Sequence, residues 1–373
     1  MQQPKVKILI SGGGTGGHVF PAIAIADAIK RRIADAEILF VGALGKLEMQ
    51  KVPTAGYPIK GLWISGFQRK LSLRNLLFPF KLLLSLLSAS GIIKKFKPQV
   101  VVGVGGYASG PTCKMAARHK IPVLLQEQNS FPGMTNKMLA KSASTICVAY
   151  DGMEKYFPAA KLIKTGNPIR QNVIETIGKK AEAYEYFELE KGRQVVLVVG
   201  GSQGSVSINE SIVKNLSLLT SANLQLIWQT GKKYAPDAKA AVSEKLNGDL
   251  SRVVKVHEFI TKMDLAYAAA DIVISRAGAI AISELCAVSK PCVFIPLPSA
   301  AEDHQTKNAL ALAGQNAAIC LKDAEAAEKL GNMVVELAND EERKTALASN
   351  IGKLAIRNSA DIIANEVLKL IEK

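Results

Sequence analysis

The sequence predicts an α/β protein made of two Rossmann-like, doubly wound domains. Short runs rich in Val and Ile alternate with longer helical patterns, which is typical of parallel sheets covered by helices. Two of these runs enter glycine-rich turns in the same way, as if the chain began a domain twice. The 373 residues also exceed what one hydrophobic core usually spans. With 48% hydrophobic and 21% charged residues, the composition excludes a disordered chain.

The strand candidates fall into two series of six. The first is Val6–Ile10, Ile38–Val41, Val100–Val104, Val123–Gln126, Thr145–Ala149 and Leu162–Thr165. The second is Val195–Val199, Leu224–Gln229, Val253–Val256, Ile272–Ser275, Cys292–Pro296 and Ala318–Leu321. Between them, the charged segment Gly178–Arg193 has no strand character, and we interpret it as a linker region. We expect residues 1–170 to form the N-terminal domain and residues 171–354 the C-terminal domain, with a helix at about 355–373 that could pack back onto the first.

Glycine-rich turns follow three of the strands. Lys7–Ser11 leads into Gly12–Gly17, Val195–Val199 leads into Gly200–Gly204, and a third turn spans Gly103–Pro111. Such a turn lets the backbone approach a ligand and points N–H groups, with the positive end of the helix dipole, at an anion. Three turns in one chain favour a phosphorylated ligand, held at the carboxyl ends of the strands in a cleft between the facing domains.

The first turn also fits the G-x-G-x-x-G pattern of dinucleotide-binding proteins, at Gly12, Gly14 and Gly17. An NAD-dependent oxidoreductase is therefore an alternative. That function needs an acidic residue at the end of the second strand to bind the ribose hydroxyls, and the strand here ends Phe40-Val41-Gly42-Ala43-Leu44. The missing acid disfavours the alternative.

Several side chains near the turns are candidates for chemistry. His18 follows the first turn near a helix start, where the dipole favours a neutral imidazole that can act as a general base. Glu284 lies one to two turns into the helix after Ser275–Gly278, where it could accept both hydroxyls of a ribose. The polar loop Pro296–Asn308 offers donors for sugar hydroxyls. The four histidines are isolated and no cysteine cluster or Asp-x-Asp pair occurs, so we expect chemistry without a metal or other cofactor.

The charge is strongly regional. Forty-seven Lys and Arg against 32 Asp and Glu leave a net charge of +15, which implies an anionic partner. Residues 1–170 carry +17 and residues 171–373 carry −2. Met49–Gln126 contains twelve basic residues and no acidic one. The anionic partner is therefore expected on the first domain.

A basic, leucine-rich stretch at residues 69–97 lies inside this region. Its uncharged run, Leu82–Ile93, is far shorter than a bilayer span of ~20 residues. One helical stripe is predicted to face the core: Leu73, Leu76, Leu77, Phe80, Leu83, Leu84 and Leu87. Further apolar residues flank it, and the combination with cations suits a helix resting on anionic lipid headgroups. We assign the membrane contact to Arg69, Lys70, Leu76, Leu77, Phe80, Lys94 and Lys95.

Nucleic acid is the competing anionic partner. The aromatic content is only 6%, and the basic region is interleaved with leucine instead of stacking residues. We therefore expect no nucleic acid. The five cysteines are widely spaced without a C-x-x-C pair, and no signal peptide precedes the first strand, which together indicate a reducing, cytosolic setting.

Six motifs together resemble the MurG family, the N-acetylglucosaminyltransferases that convert lipid I to lipid II in peptidoglycan synthesis. They are Gly12–His18, Gly105–Pro111, Glu127–Asn129, Gly166–Arg170, Gly200–Gly204 and Arg276–Glu284. The resemblance implies a GT-B fold, no metal, and an inverting transfer from UDP-N-acetylglucosamine to the 4-hydroxyl of the muramyl sugar of lipid I. It also implies a peripheral enzyme at the cytoplasmic face of the bacterial inner membrane, with other cell-wall and division proteins as partners. A GT-B enzyme with another acceptor is the nearest alternative.

The resemblance also assigns site residues. His18 would be the catalytic base, and Tyr107, Glu127 and Asn209 would line the acceptor side. UDP-N-acetylglucosamine would be bound by Thr15, Gly16, Gly17, Asn129, Arg170, Ser202, Ile260, Gly278, Ala279, Ile280, Ala281, Ile282, Ser283, Glu284, His304 and Gln305. The chain departs from the family at Gln126, where many members have His, and at Leu297–Ala301, where aromatic or polar residues are usual.

Overall fold

The computed structural model describes residues 5–65, 78–246, 252–300 and 303–372. The chain divides into two compact units, the first comprising Met1–Arg170 and Arg357–Lys373 and the second Gln171–Ile356. Each unit is an α/β layer structure with a wholly parallel sheet.

The described part of the first unit contains a seven-stranded sheet in the order β3-β2-β1-β4-β5-β6-β7. The strands are β1 Lys7–Gly12, β2 Glu37–Ala43, β3 Ile59–Leu62, β4 Val100–Gly105, β5 Val123–Glu127, β6 Thr145–Val148 and β7 Leu162–Lys164. The helices are α1 Gly16–Arg32, α2 Glu48–Thr54, α3 Phe78–Phe96, α4 Ser109–Arg118 and α5 Met134–Leu139, with short 3₁₀ turns at Met153–Lys155 and Ala159–Lys161. Each face of the sheet carries its own apolar core.

Strand β3 is the element of this sheet that sequence reasoning missed. Its four residues, Ile-Lys-Gly-Leu, include a cation and a glycine, so they lack the apolar run of the central strands. It pairs with β2 at the sheet edge, where Lys60 is exposed. An edge strand needs only one buried face, which explains the weak signal.

In the second unit, the described residues form a six-stranded sheet in the order β10-β9-β8-β11-β12-β13. The strands are β8 Gln194–Val199, β9 Leu224–Gln229, β10 Val254–His257, β11 Ile272–Ser275, β12 Cys292–Phe294 and β13 Ile319–Cys320. The helices are α6 Gln171–Ile174, α7 Lys180–Tyr186, α8 Val206–Ser221, α9 Ala235–Lys245, α10 Met263–Ala269, α11 Ala279–Val288, α12 His304–Ala313, α13 Ala326–Asn339 and α14 Glu341–Lys353. A 3₁₀ turn lies at Asp323–Glu325.

The linker interpretation of Gly178–Arg193 is wrong. Residues Lys180–Tyr186 form helix α7, and Ala183 and Phe187 are buried in the core of the second unit. Lys179 is paired with Asp264 of α10 at 2.8 Å. The charges that suggested a linker lie on the outer face of a helix whose few apolar residues are enough to dock it.

The last helix, α15 Ser359–Lys369, belongs to the first unit although it follows the second in sequence. Ala360, Ile363, Ala364 and Val367 are buried in the same core as α1. Arg32 of α1 also pairs with Asp361 at 2.5 Å. Apolar burial and this ion pair together fix the end of the chain on α1.

Three residues of the stripe predicted to face the core lie instead on the exposed face of α3. Phe80, Leu83 and Leu87 are 55%, 54% and 62% exposed, whereas Ser85, Ala89 and Ile93 are buried. Ser85, Ala89 and Ile93 face inward, where α3 packs against α4 and β3, and Phe80, Leu83 and Leu87 remain outside. Arg69, Lys70, Leu73, Leu76 and Leu77 lie outside the described residues. Within the described ranges, no helix is long and apolar enough to cross a membrane.

The cysteines are free thiols. Four of them are buried and Cys320 is partly exposed. Burial raises the pKa of Cys113 and of Cys147 to about 12. Thiols held in the neutral form react slowly with oxidants and electrophiles, so these two are packing residues.

Candidate functional site

The first glycine turn connects β1 to α1 and orients His18. The Nδ1 atom of His18 lies 3.1 Å from the Gly13 carbonyl oxygen. That carbonyl can only accept, so Nδ1 carries a proton and Nε2 is the nitrogen that is left to accept one. Thr15 Oγ1 lies 3.4 Å from the same Nδ1. The turn therefore sets the tautomer that a general base requires.

The first and third glycine turns touch each other at the ends of neighbouring strands β1 and β4. The backbone N–H of Gly13 donates to the Gly105 carbonyl oxygen across 3.2 Å. Gly106 has φ +89°, and a Cβ atom there would overlap the Gly13 carbonyl oxygen. Only glycine permits this contact. Tyr107, which follows directly, is 48% exposed.

Glu48 is a buried carboxylate beneath the first turn. It is 0% exposed, and its two oxygens accept the backbone N–H groups of Gly14 at 2.8 Å and Ala43 at 2.9 Å. Ala43 ends β2, so Glu48 occupies the region where a dinucleotide enzyme places its ribose-binding acid. The hydrogen bonds of the Glu48 carboxylate thus fix the first turn against the end of β2.

Glu127 is buried as well, contrary to its prediction as a residue lining the acceptor side. It is 2% exposed, and its oxygens accept from Asn129, Gly133 and Asn136. Burial raises the pKa of Glu127, although these hydrogen bonds oppose the effect. Its carboxylate shapes the loop after β5 and holds the amide of Asn129 in place. It acts on the site through that loop.

Arg170 and Phe20 meet at the other side of the first turn. The Arg170 guanidinium carbon lies 4.6 Å from the centroid of the Phe20 ring, a cation–π arrangement. Phe20 lies in α1, two residues after His18. The predicted site residues of the first unit therefore gather at the carboxyl ends of its central strands.

In the second unit, the turn after β8 packs on the turn after β9. Gly204 has φ +78°, and a Cβ atom there would overlap the Thr230 carbonyl oxygen. Ser202, at the tip of the turn, is exposed. Ser205 caps α8, with its hydroxyl accepting from the Ile208 N–H at 3.4 Å. The turn thus leaves Ser202 exposed next to the positive end of a 16-residue helix, where an anion is favoured.

Gln229 joins this turn to Ile260. Its amide nitrogen donates to the Gly201 carbonyl oxygen at 2.9 Å, and its amide oxygen accepts from the Ile260 N–H at 2.8 Å. The Ile260 side chain is buried and its N–H bonds to Gln229, so its backbone carbonyl is the group suited to contact a ligand.

Arg276 crosslinks three loops of the same unit. Its guanidinium donates to the hydroxyls of Ser205 and Ser207 at 2.6 and 2.8 Å and to the Ile295 carbonyl at 2.9 Å. It also pairs with Asp323 at 2.5 Å. A buried cation with this many partners holds the strand ends in one arrangement.

The helix α11 begins at the N-cap Gly278 and carries Glu284. Glu284 is 8% exposed, and the Tyr267 hydroxyl donates to its carboxylate at 3.1 Å. Ala279 and Ile282 are buried in the core, so a nucleotide would meet them through their backbone. The first turn of α11 therefore has backbone N–H groups suited to an anion. The Glu284 carboxylate is held in place by the Tyr267 hydroxyl.

The loop before α12 is closed by Gln305. Its amide oxygen accepts from the Leu297 N–H at 3.0 Å. In this arrangement the amide NH₂ is the end of Gln305 that suits a sugar hydroxyl. His304 is the first residue of α12, and the Thr306 hydroxyl donates to Asp303 at 2.6 Å.

Asn209 does not fit its prediction as an acceptor-side residue. It belongs to the second unit and is 1% exposed. Its amide donates to the Thr230 carbonyl at 2.9 Å and accepts from the Trp228 indole N–H at 3.0 Å. It is a core residue that anchors the end of β9, since both ends of the amide are used inside the unit.

Comparison with known proteins identifies the family. Residues 8–148 match the glycosyltransferase family 28 N-terminal domain, and residues 195–365 match its C-terminal domain. A UDP-N-acetylglucosamine–N-acetylmuramyl-(pentapeptide) pyrophosphoryl-undecaprenol N-acetylglucosamine transferase from Phocaeicola vulgatus is 53% identical, covering 100% of this chain and 98% of its own. An enzyme of the same name from Parabacteroides distasonis is 52% identical over 99% of each chain. This chain belongs to the MurG family.

Solved structures agree with the family assignment. A crystal structure of MurG from Acinetobacter baumannii matches with a TM-score of 0.76 and 27% identity, over 98% of this chain and 100% of that one. A UDP-GlcNAc 2-epimerase from Neisseria meningitidis, bound to UDP-GlcNAc, matches with a TM-score of 0.67 at 15% identity, which indicates the fold alone. The two parallel-sheet units are the Rossmann-like domains of a GT-B glycosyltransferase. The dinucleotide oxidoreductase alternative finds no support in these relatives.

Gln126 departs from the MurG pattern and is buried. It is 0% exposed, and its amide donates to Asn167 at 3.2 Å and accepts from Gln128. Gln126 is therefore a neutral amide inside a hydrogen-bonded network.

Sequence reasoning missed four residues of the site: Glu48, Gln229, Tyr267 and Arg276 as a crosslink. Only Arg276 lay inside a quoted motif. The others act on the site through long-range contacts, for which a single sequence carries no local signal. Among the described residues, no group of three or more His, Cys, Asp or Glu is placed to hold a metal ion.

Proposed function

We propose that this chain transfers N-acetylglucosamine from UDP-N-acetylglucosamine to the 4-hydroxyl of the muramyl sugar of lipid I, which gives lipid II. The full-length match to relatives that carry this activity in their name is the observation that supports the proposal. We assign the lipid acceptor to the first unit and the nucleotide mostly to the second.

His18 is assigned as the general base. Its Nε2 accepts the proton of the acceptor 4-hydroxyl as that oxygen attacks the anomeric carbon of N-acetylglucosamine. The bond from the anomeric carbon to the β-phosphate oxygen breaks, its electron pair leaves with UDP, and the carbon is inverted to a β-1,4 linkage. The Gly13 carbonyl on Nδ1 stabilises the imidazolium that forms.

Negative charge grows on the β-phosphate as UDP leaves. We assign its stabilisation to Ser202 with the turn at Gly200–Gly204, and to the first turn of α11. Backbone N–H groups held in place before reaction can contribute several kcal/mol to this step. Glu284 would bind the ribose hydroxyls, the backbone of Ile260 the uracil, and His304 and Gln305 the sugar.

The remaining donor contacts are assigned to Thr15, Gly16, Gly17, Asn129 and Arg170 of the first unit. Thr15 and Gly17 are exposed at the turn, and Asn129 is held by Glu127. Tyr107 remains the candidate for the acceptor side, because its ring is exposed beside the turn that carries His18.

We further propose that the first unit rests on the cytoplasmic face of the bacterial inner membrane as a peripheral protein. Phe80, Leu83 and Leu87 form an exposed apolar face on α3, and Trp63 beside them is 47% exposed. Lys94 and Lys95 are exposed at the end of the same helix. Apolar side chains next to cations suit an anionic bilayer surface. Interaction with other cell-wall and division proteins stays a prediction.

The test of the activity is transfer of radiolabelled N-acetylglucosamine from its UDP conjugate to a lipid I analogue. We expect a labelled disaccharide lipid and one equivalent of UDP. Label transferred to another acceptor, with none on the lipid I analogue, would instead support a different GT-B enzyme.

A further inference from the structure

Strand β9 carries two buried glutamines, one near each end. Gln225 is 0% exposed near the amino end, and Gln229 is 2% exposed at the carboxyl end. Gln225 bonds to the loop at Glu190 and Arg193, whereas Gln229 bonds to Gly201 and Ile260. The two glutamines therefore hold different loops at opposite ends of the same strand.

Gln229 uses both ends of its amide on separate loops. The nitrogen donates to the Gly201 carbonyl at 2.9 Å and the oxygen accepts from the Ile260 N–H at 2.8 Å. Breaking either bond leaves a backbone group without its buried partner, which is costly. The amide consequently fixes the separation between the Gly201 turn and Ile260.

These two loops are the ones assigned to opposite ends of UDP. Gly201 precedes Ser202, which is assigned to the diphosphate, and Ile260 is assigned to the uracil. A ligand that bridges two loops binds best when their spacing is already correct, since binding then requires no ordering of the loops.

We propose that Gln229 is a positioning residue for the nucleotide, which holds the diphosphate turn and the uracil-binding backbone at the spacing of UDP. The inference rests on the proposed function. It adds that the affinity for the donor depends on a side chain that itself need not touch the ligand.

Gln229→Met and Gln225→Met form a matched pair for the test. Each replaces a buried amide on β9 with an apolar side chain of similar length, and both should lower the Tm. We expect Gln229→Met to raise the Kd of UDP by calorimetry, and the KM of UDP-N-acetylglucosamine, about tenfold. The KM of the lipid I analogue should stay within twofold, and Gln225→Met should leave both nucleotide constants unchanged.

Unchanged UDP affinity in folded Gln229→Met would overturn the inference, as would an equal loss in Gln225→Met. If Gln229→Met does not fold, Gln229→Glu provides the second variant. It keeps an acceptor for Ile260 but places an oxygen against the Gly201 carbonyl, so we again expect a weaker affinity for UDP. Failure of the unaltered chain to bind UDP at all would contradict the proposed function itself.

Discussion

The backbone N–H of Gly14 donates a hydrogen bond to the buried carboxylate of Glu48 across 2.8 Å. This contact takes up an N–H group that a dinucleotide phosphate would need, and it stiffens the turn that orients His18 through Gly13. The glycine pattern that suggests a cofactor site therefore serves here as a rigid support for the His18 side chain.

Glu48→Gln should lower turnover by at least tenfold and reduce the stability of the first unit by about 1–3 kcal/mol. The amide NH₂ would face a backbone N–H that now has an acceptor, and the turn would shift under His18. Steady-state kinetics and urea unfolding measure the two effects. UDP affinity should fall less than turnover, because only Thr15, Gly16 and Gly17 of the assigned donor contacts lie on this turn. Full turnover in the folded variant would contradict this role.

His18→Ala should reduce kcat by about 10²–10⁴-fold, the usual contribution of a general base. The affinity for UDP should change little. His119→Ala is the matched control, since His119 bonds to Ser90 on the same unit, away from the turn. Comparable kcat values for His18→Ala and the unaltered chain would exclude His18 as the base.

Tyr267→Phe should weaken UDP binding roughly two- to tenfold by removing the hydroxyl that holds Glu284. If Glu284 binds the ribose, the loss should be smaller for 2′-deoxy-UDP, which lacks one of the hydroxyls. Calorimetric titration of both nucleotides against both proteins gives the comparison. An equal loss for the two nucleotides would argue against a ribose contact by Glu284.

Combined substitution of Phe80, Leu83 and Leu87 by Ser should reduce binding to vesicles of anionic lipid by at least tenfold. The three side chains are exposed, so the fold should be retained. Leu310→Ser is the control, because Leu310 is 56% exposed on the second unit. Vesicle sedimentation measures binding. Sedimentation equal to that of the unaltered chain would contradict the proposal that α3 contacts the membrane.

The contribution of positive charge to membrane binding can be tested separately. Replacing Arg69, Lys70, Lys94 and Lys95 by Glu should lower vesicle binding and make the remainder insensitive to salt. Donor affinity should be unchanged. Retained binding to anionic vesicles would show that the apolar side chains act alone.

Asp361→Asn should destabilise the first unit at neutral pH by less than about 1 kcal/mol. Burial raises the pKa of Asp361, but hydrogen bonds from Arg32 and Arg31 outweigh it and hold the pKa below its usual value. A lowered folded-state pKa gives stability above the unfolded value of about 3.9, and this is lost as the pH falls through the folded value. Urea unfolding at pH 7 and pH 3 should show the difference between variant and unaltered chain shrinking in acid, whereas exposed Glu154→Gln should show none.

Much of the architecture follows from local sequence. All twelve strands that the apolar runs predict are present within a few residues of their expected bounds, because buried parallel strands need continuous Val and Ile. The edge strand Ile59–Leu62 was not predicted, because a strand at the edge of a sheet needs fewer apolar residues. The prediction of which face of α3 is buried was wrong. Helical periodicity shows that an apolar face exists but does not show whether that face meets the core.

The sequence by itself determined the family, the two parallel-sheet units and the position of His18 beside a glycine turn, since motif spacing and hydrophobic runs are local properties. Tertiary structure decided how the site is held: Glu48 under Gly14, Gln229 between Gly201 and Ile260, and Tyr267 on Glu284. It also shows that Glu127 and Asn209, which the sequence analysis placed on the acceptor side, are buried. These hydrogen bonds join residues up to 34 positions apart in sequence, the longest being that between Gly14 and Glu48. A hydrogen bond at that separation depends on how strands and loops pack, which no local pattern encodes.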